Sequence, residues 1–382
     1  MSIRINSVLA KPLALAFAFA ATTALAGAAF AADMSMPVKA PPIKDVPFFL
    51  VNDTSVSFTW YPNATDPGVC AGAVPDGFCS GNSFSKYVGS ATHFDVWAYG
   101  TNFFNVDYLK SSKNDPINGV PGAAGAAEVY AFGRSVINFN EVTGTKWFSN
   151  WFFKNVGFEF GGDANTENNQ LSPEVRKLDL GLAFHFNLPG TVILGVLAQK
   201  EWNHNSFDSC GTQNSAVGGV PGAPIAFGCN GGGPGVVFTG DREFHWAPRL
   251  ELVMSEPLSF LPIPLTWNSF TGVTFPKGTG ISSANMAAVG TGLTPWNVDT
   301  NETKTEVFED NRLTLDISKI WWGKAGIWDG YVGWRYWYNK FGTDHNNGDF
   351  SSSGCTQVGT LGCAPGSSIE NTVYVGTTYH FK

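Results

Sequence analysis

Apolar and polar residues alternate with a period of two along most of this chain, in segments of roughly ten residues parted by Gly-, Pro- and Asn-rich connections. The last segment shows it best: Val373, Val375, Thr377, Tyr379 and Phe381 share one face, and Tyr374, Gly376, Thr378 and His380 the other. Side chains alternate across a strand, so one face suits lipid and the other a wetter lumen.

The same reading predicts strands near 50–61, 89–98, 102–111, 127–138, 151–162, 174–186, 191–202, 238–254, 264–275, 304–317, 327–340 and 370–381. Twelve is an even number, as a single-chain bacterial barrel requires. In the sixth strand Leu178, Leu180, Leu182, Phe184 and Phe186 oppose Lys177, Asp179 and His185. In the seventh Val192, Leu194, Val196 and Ala198 oppose Gln199 and Glu201. The eighth sets Phe244, Trp246, Leu250, Leu252 and Met254 against Glu243, His245, Arg249 and Glu251. The eleventh sets Trp328, Val332, Trp334, Tyr336 and Tyr338 against Asp329, Arg335, Trp337 and Asn339. The expected fold is therefore all-β, a transmembrane antiparallel β-barrel over residues 49–382 that closes by pairing the last strand with the first near Ser55 to Trp60.

Burying a Lys or Arg in lipid near the bilayer midplane costs about 2–4 kcal/mol, so charges are driven into the lumen or to the rims. On that ground Arg134 is assigned inward although it shares a parity with Tyr130, Phe132 and Val136. The inward candidates for lining a pore or meeting a substrate are Asp95, Trp97, Tyr99, Asp107, Asp179, Arg249, Glu251, Arg312, Asp316, Asp329, Arg335 and Trp337. Rings, carboxylates and guanidinium groups together suit a flat, neutral, hydrogen-bonding solute. The alternative is a ladder of internal ion pairs that fills the barrel.

The connections sort by length. Those at 62–88, 112–126, 163–173, 203–237, 276–303 and 341–369 are generally longer than those near 99–101, 139–150, 187–190, 255–263 and 318–326. Long outer loops and short periplasmic turns are the asymmetry of outer-membrane barrels. The six cysteines fall in three close pairs, all on the long side: Cys70 with Cys79, Cys210 with Cys229, and Cys355 with Cys363. Loop-local disulfides are the expected reading for an exported chain, and no CxxC spacing or His array points to metal.

Residues 1–31 read as a secretory signal peptide: Arg4 and Lys11 open it, an apolar stretch follows, and Ala29-Phe30-Ala31 matches a cleavage site. Residues 32–48 then form a periplasmic N-terminal segment. After residue 31 no run of eighteen apolar residues occurs, which excludes a helical membrane span. Charged residues make up 14% of the 382 and aromatic residues 14%, against about 25% charged in soluble domains, as suits a surface facing lipid. A net charge of −8 argues against nucleic acid as a partner.

With this architecture on the page, the stretch THFDVWAYGTNFFNVDYLKSSKNDP from Thr92 to Pro116 resembles the early aromatic hairpin of the nucleoside-specific channel-forming (Tsx-like) family of outer-membrane proteins. The resemblance implies a twelve-stranded barrel that conducts nucleosides. The cysteine pairs, the long connection 203–237 and the terminal Lys382 depart from that family, and its nucleoside-contacting residues have no matched positions here.

An outer-membrane hydrolase needs a serine activated by an oriented histidine, and no G-x-S-x-G occurs. No enzyme activity and no cofactor are expected. A channel for small polar solutes, with lipid around it, is the leading expectation. A structural or adhesin-like barrel acting through its disulfide-closed loops is the rival, and oligomeric state is not legible in the alternation.

Overall fold

The computed structural model describes residues 48–66, 83–113, 115, 125–168, 174–204, 241–280, 302–342 and 368–381, with the backbone alone at 229–230 and 294–295. Twelve strands make its wall: β1 Phe49–Ala64, β2 Phe84–Trp97, β3 Gly100–Ser111, β4 Ala127–Asn138, β5 Phe153–Glu167, β6 Glu174–Phe186, β7 Thr191–His204, β8 Ala247–Pro257, β9 Leu265–Thr274, β10 Glu306–Asp316, β11 Trp328–Tyr338 and β12 Glu370–Phe381. Each is antiparallel to its sequence neighbour, and β12 returns to β1 with Thr54 opposite Phe381 and Trp60 opposite Val375. That pairing closes the barrel, as lipid requires, because an open edge would leave backbone N–H and C=O groups without partners. Among the described residues no helix is long and apolar enough to cross a membrane.

The strands run from 10 to 16 residues, enough to span a bilayer at the usual tilt. At one end the connections are short. Two of them carry single helical turns, α1 Phe139–Thr143 and α2 Ile317–Trp322, each closed by a left-handed glycine, Gly144 at φ 63° and Gly323 at φ 69°. Glycine adopts that region without the Cβ clash other residues meet there. Aromatic side chains crowd this end: Trp147, Trp151, Phe260, Trp321 and Trp322 are all exposed. Such a belt belongs at a membrane–water interface.

Above the belt the outward face is apolar, with Val56, Phe58 and Trp60 on β1, Phe104, Val106 and Tyr108 on β3, and Val373 and Val375 on β12 exposed. One stretch departs. On β9 and β10 the outward positions in mid-strand are Ser269, Thr271, Glu309 and Asn311, paired Ser269 to Asn311 and Thr271 to Glu309. Asn311 Nδ2 donates to Glu309 Oε1 at 2.7 Å, and Asn311 Oδ1 accepts from the Trp267 indole at 3.2 Å.

Several boundaries differ from those expected. β1, β5 and β7 run further, to residues 64, 167 and 204, and β2 begins at residue 84. The eighth strand is broken: Asp241–Glu243 continues the ladder beside the end of β7, the Phe244 amide still bonds to the Glu201 carbonyl at 3.0 Å, residues 245–246 leave it, and β8 resumes at Ala247. The break changes the side-chain parity. Phe244, expected on the lipid face, is buried, with the Lys277 ammonium 4.6 Å from its ring centroid, whereas Glu243 and His245 are exposed. The signal-peptide reading and Cys70, Cys79, Cys210, Cys355 and Cys363 lie outside the described residues, and Cys229 is described only by its backbone pairing with Pro295.

Candidate functional site

The inward rows of all twelve strands form the lumen, and at mid-height one guanidinium organises it. Arg134 on β4 reaches Asp163 on β5 at 2.9 Å, Asp179 on β6 at 2.8 Å and Glu251 on β8 through two bonds of 3.1 and 2.8 Å. Arg249 holds the same Glu251 at 2.6 Å and Thr274 Oγ1 at 2.7 Å. Gln199 Nε2 donates to Asp179 Oδ1 at 3.0 Å, and Glu159 is buried beside them. Asp179 is 0% and Glu251 2% exposed, so these side chains are packed against one another. Charges taken out of water this far survive only when paired and hydrogen-bonded. The cluster holds two guanidinium groups against four carboxylates, Asp163, Asp179, Glu251 and Glu159, so its formal balance is acidic.

The wall made by β10, β11, β12 and β1 carries a second group. Arg335 binds Asp310 at 2.9 Å, lies 4.7 Å from the Tyr61 ring centroid, and shares Asp310 with the Tyr374 hydroxyl, which donates to it. Tyr61, Phe84, Val88, Tyr331 and Tyr374 pack together there. The rings fit because Gly376 stands opposite Tyr331 and Gly333 opposite Tyr374, and a Cβ at either glycine would collide with the facing ring. Trp337 Nε1 donates to Glu306 Oε1 at 2.7 Å, and Lys340 ties Glu370 to Asp66 at the long-connection end. Asp66 sits past the end of β1. Burial would push its carboxyl up, but the Lys340 and Lys86 ammoniums outweigh burial and hold it below its ordinary 3.8.

Toward the short-turn end the lining changes. Ser57, Ser90, Thr92, Ser255, Asn268, Thr314 and Thr378 face inward and are part-exposed, and the inward Val253 is 38% exposed, so the lumen is more open here. At the closing seam His380 bridges two strands: Nδ1 lies 2.9 Å from Asp53 Oδ2 on β1 and Nε2 3.1 Å from Asp329 Oδ2 on β11. Each ring nitrogen thus faces a carboxylate across the seam.

Of the expected inward residues, Asp107, Asp179, Arg249, Glu251, Arg312, Asp329, Arg335 and Trp337 do face the lumen, as does Arg134. Asp107 accepts from Asn105 Nδ2 at 2.7 Å. Four do not. Asp95 shares its face with Tyr87, Gly89 and Ala91, whose partners Tyr108 and Val106 look outward, and it accepts from Asn102 Nδ2 at 2.9 Å near the short-turn end. Trp97 and Tyr99 belong to the aromatic rim: their rings meet at 5.3 Å, Phe48 stacks on Trp97 at 6.0 Å, and Tyr99 sits in the turn. Asp316 caps α2, accepting the Lys319 amide at 2.8 Å and the Gly326 amide at 2.8 Å. Asp95 and Trp97 lie on the odd, outward row of β2, Tyr99 follows its end, and Asp316 is drawn to the α2 amides at the end of β10.

The alternation missed Asp163, Tyr61, Glu370 and the Asp53–His380–Asp329 bridge as a unit. Asp163 lies one residue past the expected end of the fifth strand, and Tyr61 sits at the expected end of the first, so both were legible only from longer strands.

No protein-family model and no curated protein matches the sequence. Among solved structures, an outer membrane channel from Pseudomonas putida F1 is similar over 89% of this chain and 100% of that one, at 10% identity and a TM-score of 0.39. The translocator domain of the autotransporter NalP from Neisseria meningitidis is similar over 87% and 89%, at 12% identity and a TM-score of 0.35. The outer membrane protein OprD from Pseudomonas aeruginosa is similar over 86% and 93%, at 6% identity and a TM-score of 0.24. Likenesses this distant assign no function, and the fold rests on the chain's own strand pairing. A closed twelve-stranded barrel with an outward apolar band and an aromatic belt is built for the bacterial outer membrane.

Proposed function

We propose that the barrel is a porin-like channel through which small polar solutes diffuse, nucleosides being the first candidate class. The observation that carries this reading is the part-exposed inward patch on β3 and β4, where Phe103, Tyr130 and Phe132 stand beside Asn105 and Asp107. Phe103 and Phe132 lie 5.0 Å apart, and Thr92 donates to Asn105 at 2.7 Å. Ring faces of this kind take a planar base, while carboxylate and amide oxygens take hydroxyl and amide donors. With the short turns in the periplasm, a solute passes from the long loops, past the Arg134 cluster, to the hydroxyl-lined half. No catalytic role is assigned to any of these residues.

Planar-bilayer recording on the purified full chain tests the channel. Conductance that uridine or adenosine reduces, with the block lost in Phe103→Ala, supports the reading. Conductance blocked only by a sugar or an amino acid removes the nucleoside assignment, and no conductance in any condition removes the channel. The last result would favour a structural barrel, the reading that the buried Arg134 cluster independently suits. Loop-local disulfides belong to the same proposal: peptide mapping without reduction should recover Cys70 with Cys79, Cys210 with Cys229 and Cys355 with Cys363.

A further inference from the structure

Almost every inward cation of the barrel is matched to an acid, and Arg312 is not. Arg134, Arg249 and Arg335 hold carboxylates directly, Lys86 meets Asp66 at 3.6 Å, and Lys177 has Asp163 and Glu201 as its cross-strand neighbours. Arg312 has Asn268 on one side and Gly333 on the other, and among the described residues it makes no ion pair. The acids around it are engaged elsewhere: Asp310 by Arg335 and Tyr374, Asp316 by the α2 cap, and Asp329 by His380.

Its position is nonetheless built. The guanidinium carbon stands 4.8 Å from the Tyr331 ring centroid, and the Tyr331 hydroxyl is tied to Thr59 Oγ1 at 2.7 Å. A ring face steadies the cation without using up the fork of N–H donors that recognises a carboxylate. Asn268 donates to Thr314 Oγ1 at 3.1 Å, which leaves the Thr314 hydroxyl hydrogen free to join Arg312 as a second donor. Arg312 is part-exposed, below the Arg134 cluster and inside the more open half.

We propose that Arg312 is the anion subsite of this lumen, and that it receives the carboxylate of a small organic solute, bidentate on the guanidinium with Thr314 beside it. The inference rests on the channel reading but not on the nucleoside class, and it adds an anionic solute at one rung. Carboxylate pairs with arginine more strongly than a neutral amide does, because the bonds are charge-assisted.

Benzoate and benzamide, planar and nearly isosteric, are the probes, titrated calorimetrically into the detergent-solubilised full chain. Wild type should bind benzoate about tenfold more tightly than benzamide, in line with a hydrogen bond to a charged group. Arg312→Gln should bring the two together, and Arg312→Lys, which keeps the charge, should restore most of the preference. Equal binding by wild type, or a preference that survives Arg312→Gln, overturns the subsite. Bilayer recording separates the two claims. A protein that conducts but shows no preference loses the subsite and keeps the channel, whereas one that prefers benzoate without conducting keeps the subsite and loses the channel.

Discussion

Arg134 and Glu251 join β4 to β8, four strands apart round the wall, through two hydrogen bonds of 3.1 and 2.8 Å. Their pairing is therefore a strut across part of the lumen rather than a contact between neighbours. Arg134→Met would leave Asp163, Asp179 and Glu251 short of a cation, and breaking a buried pair in this way costs about 3–5 kcal/mol. The expected outcome is a lower midpoint for heat-induced unfolding on a gel-shift assay, together with a higher single-channel conductance. Combining Arg134→Met with Glu251→Gln and Asp163→Asn should recover much of the lost stability.

The seam makes a second prediction. His380→Ala removes the bridge between Asp53 and Asp329 and leaves two carboxylates facing one gap. The barrel should become easier to unfold in urea, and Asp53→Asn in the same chain should offset part of the loss by removing one charge. If the double variant unfolds no later than the single one, the bridge is not electrostatic.

Glu309 points outward from the middle of β10, where its neighbours elsewhere on the wall are apolar. Glu309→Leu is expected to stabilise the monomeric barrel in lipid, by up to about 2 kcal/mol at that depth. Reversible folding into phospholipid vesicles, followed by tryptophan fluorescence, measures it. A destabilised variant would mean that the Glu309–Asn311 pair contributes more than lipid exposure costs.

Acid should act at the long-connection end through Asp66. Its carboxyl is held below 3.8 by Lys340 and Lys86 against the opposing effect of burial. A depressed folded-state value means the stabilising contribution is complete above the ordinary carboxylate value and is lost as pH falls through the folded one. Wild type should therefore unfold at a higher temperature than Asp66→Asn at pH 6, and the gap should narrow below pH 3.8. A gap that is the same at pH 6 and pH 2 would show that the carboxylate charge is not what matters.

The wall was legible because its physics is local. Leu178 to Phe186 and Val192 to Ala198 need only alternate to find lipid, and the strand count follows from such runs. Arg134 was legible for the same reason, since the cost of an arginine in lipid outweighs the apolar parity around it. The rest depended on which row of a strand turns inward and on where strands end. Asp95 and Asp316 have the alternation of lumen residues in the sequence, yet one falls on the outward face and the other caps a helical turn. Phe244 was misplaced because residues 245–246 break the ladder before Ala247 and reset the parity, and no residue there announces it. Partners such as Glu251 for Arg134 lie 117 positions apart and are set by barrel closure, which no local pattern encodes.

The glycines opposite Tyr331 and Tyr374 bear on how the barrel closes as it folds. Each tyrosine ring lies over a bare patch of the neighbouring strand, Gly376 for one and Gly333 for the other, so β11 and β12 interlock in a single register. A slip by two residues would keep every side chain on its proper face, and alternation alone would not oppose it. The interlock does, because the rings would then meet side chains instead of gaps. The last hairpin thus offers β1 a single register, in which Thr54 to Trp60 meet Phe381 to Val375.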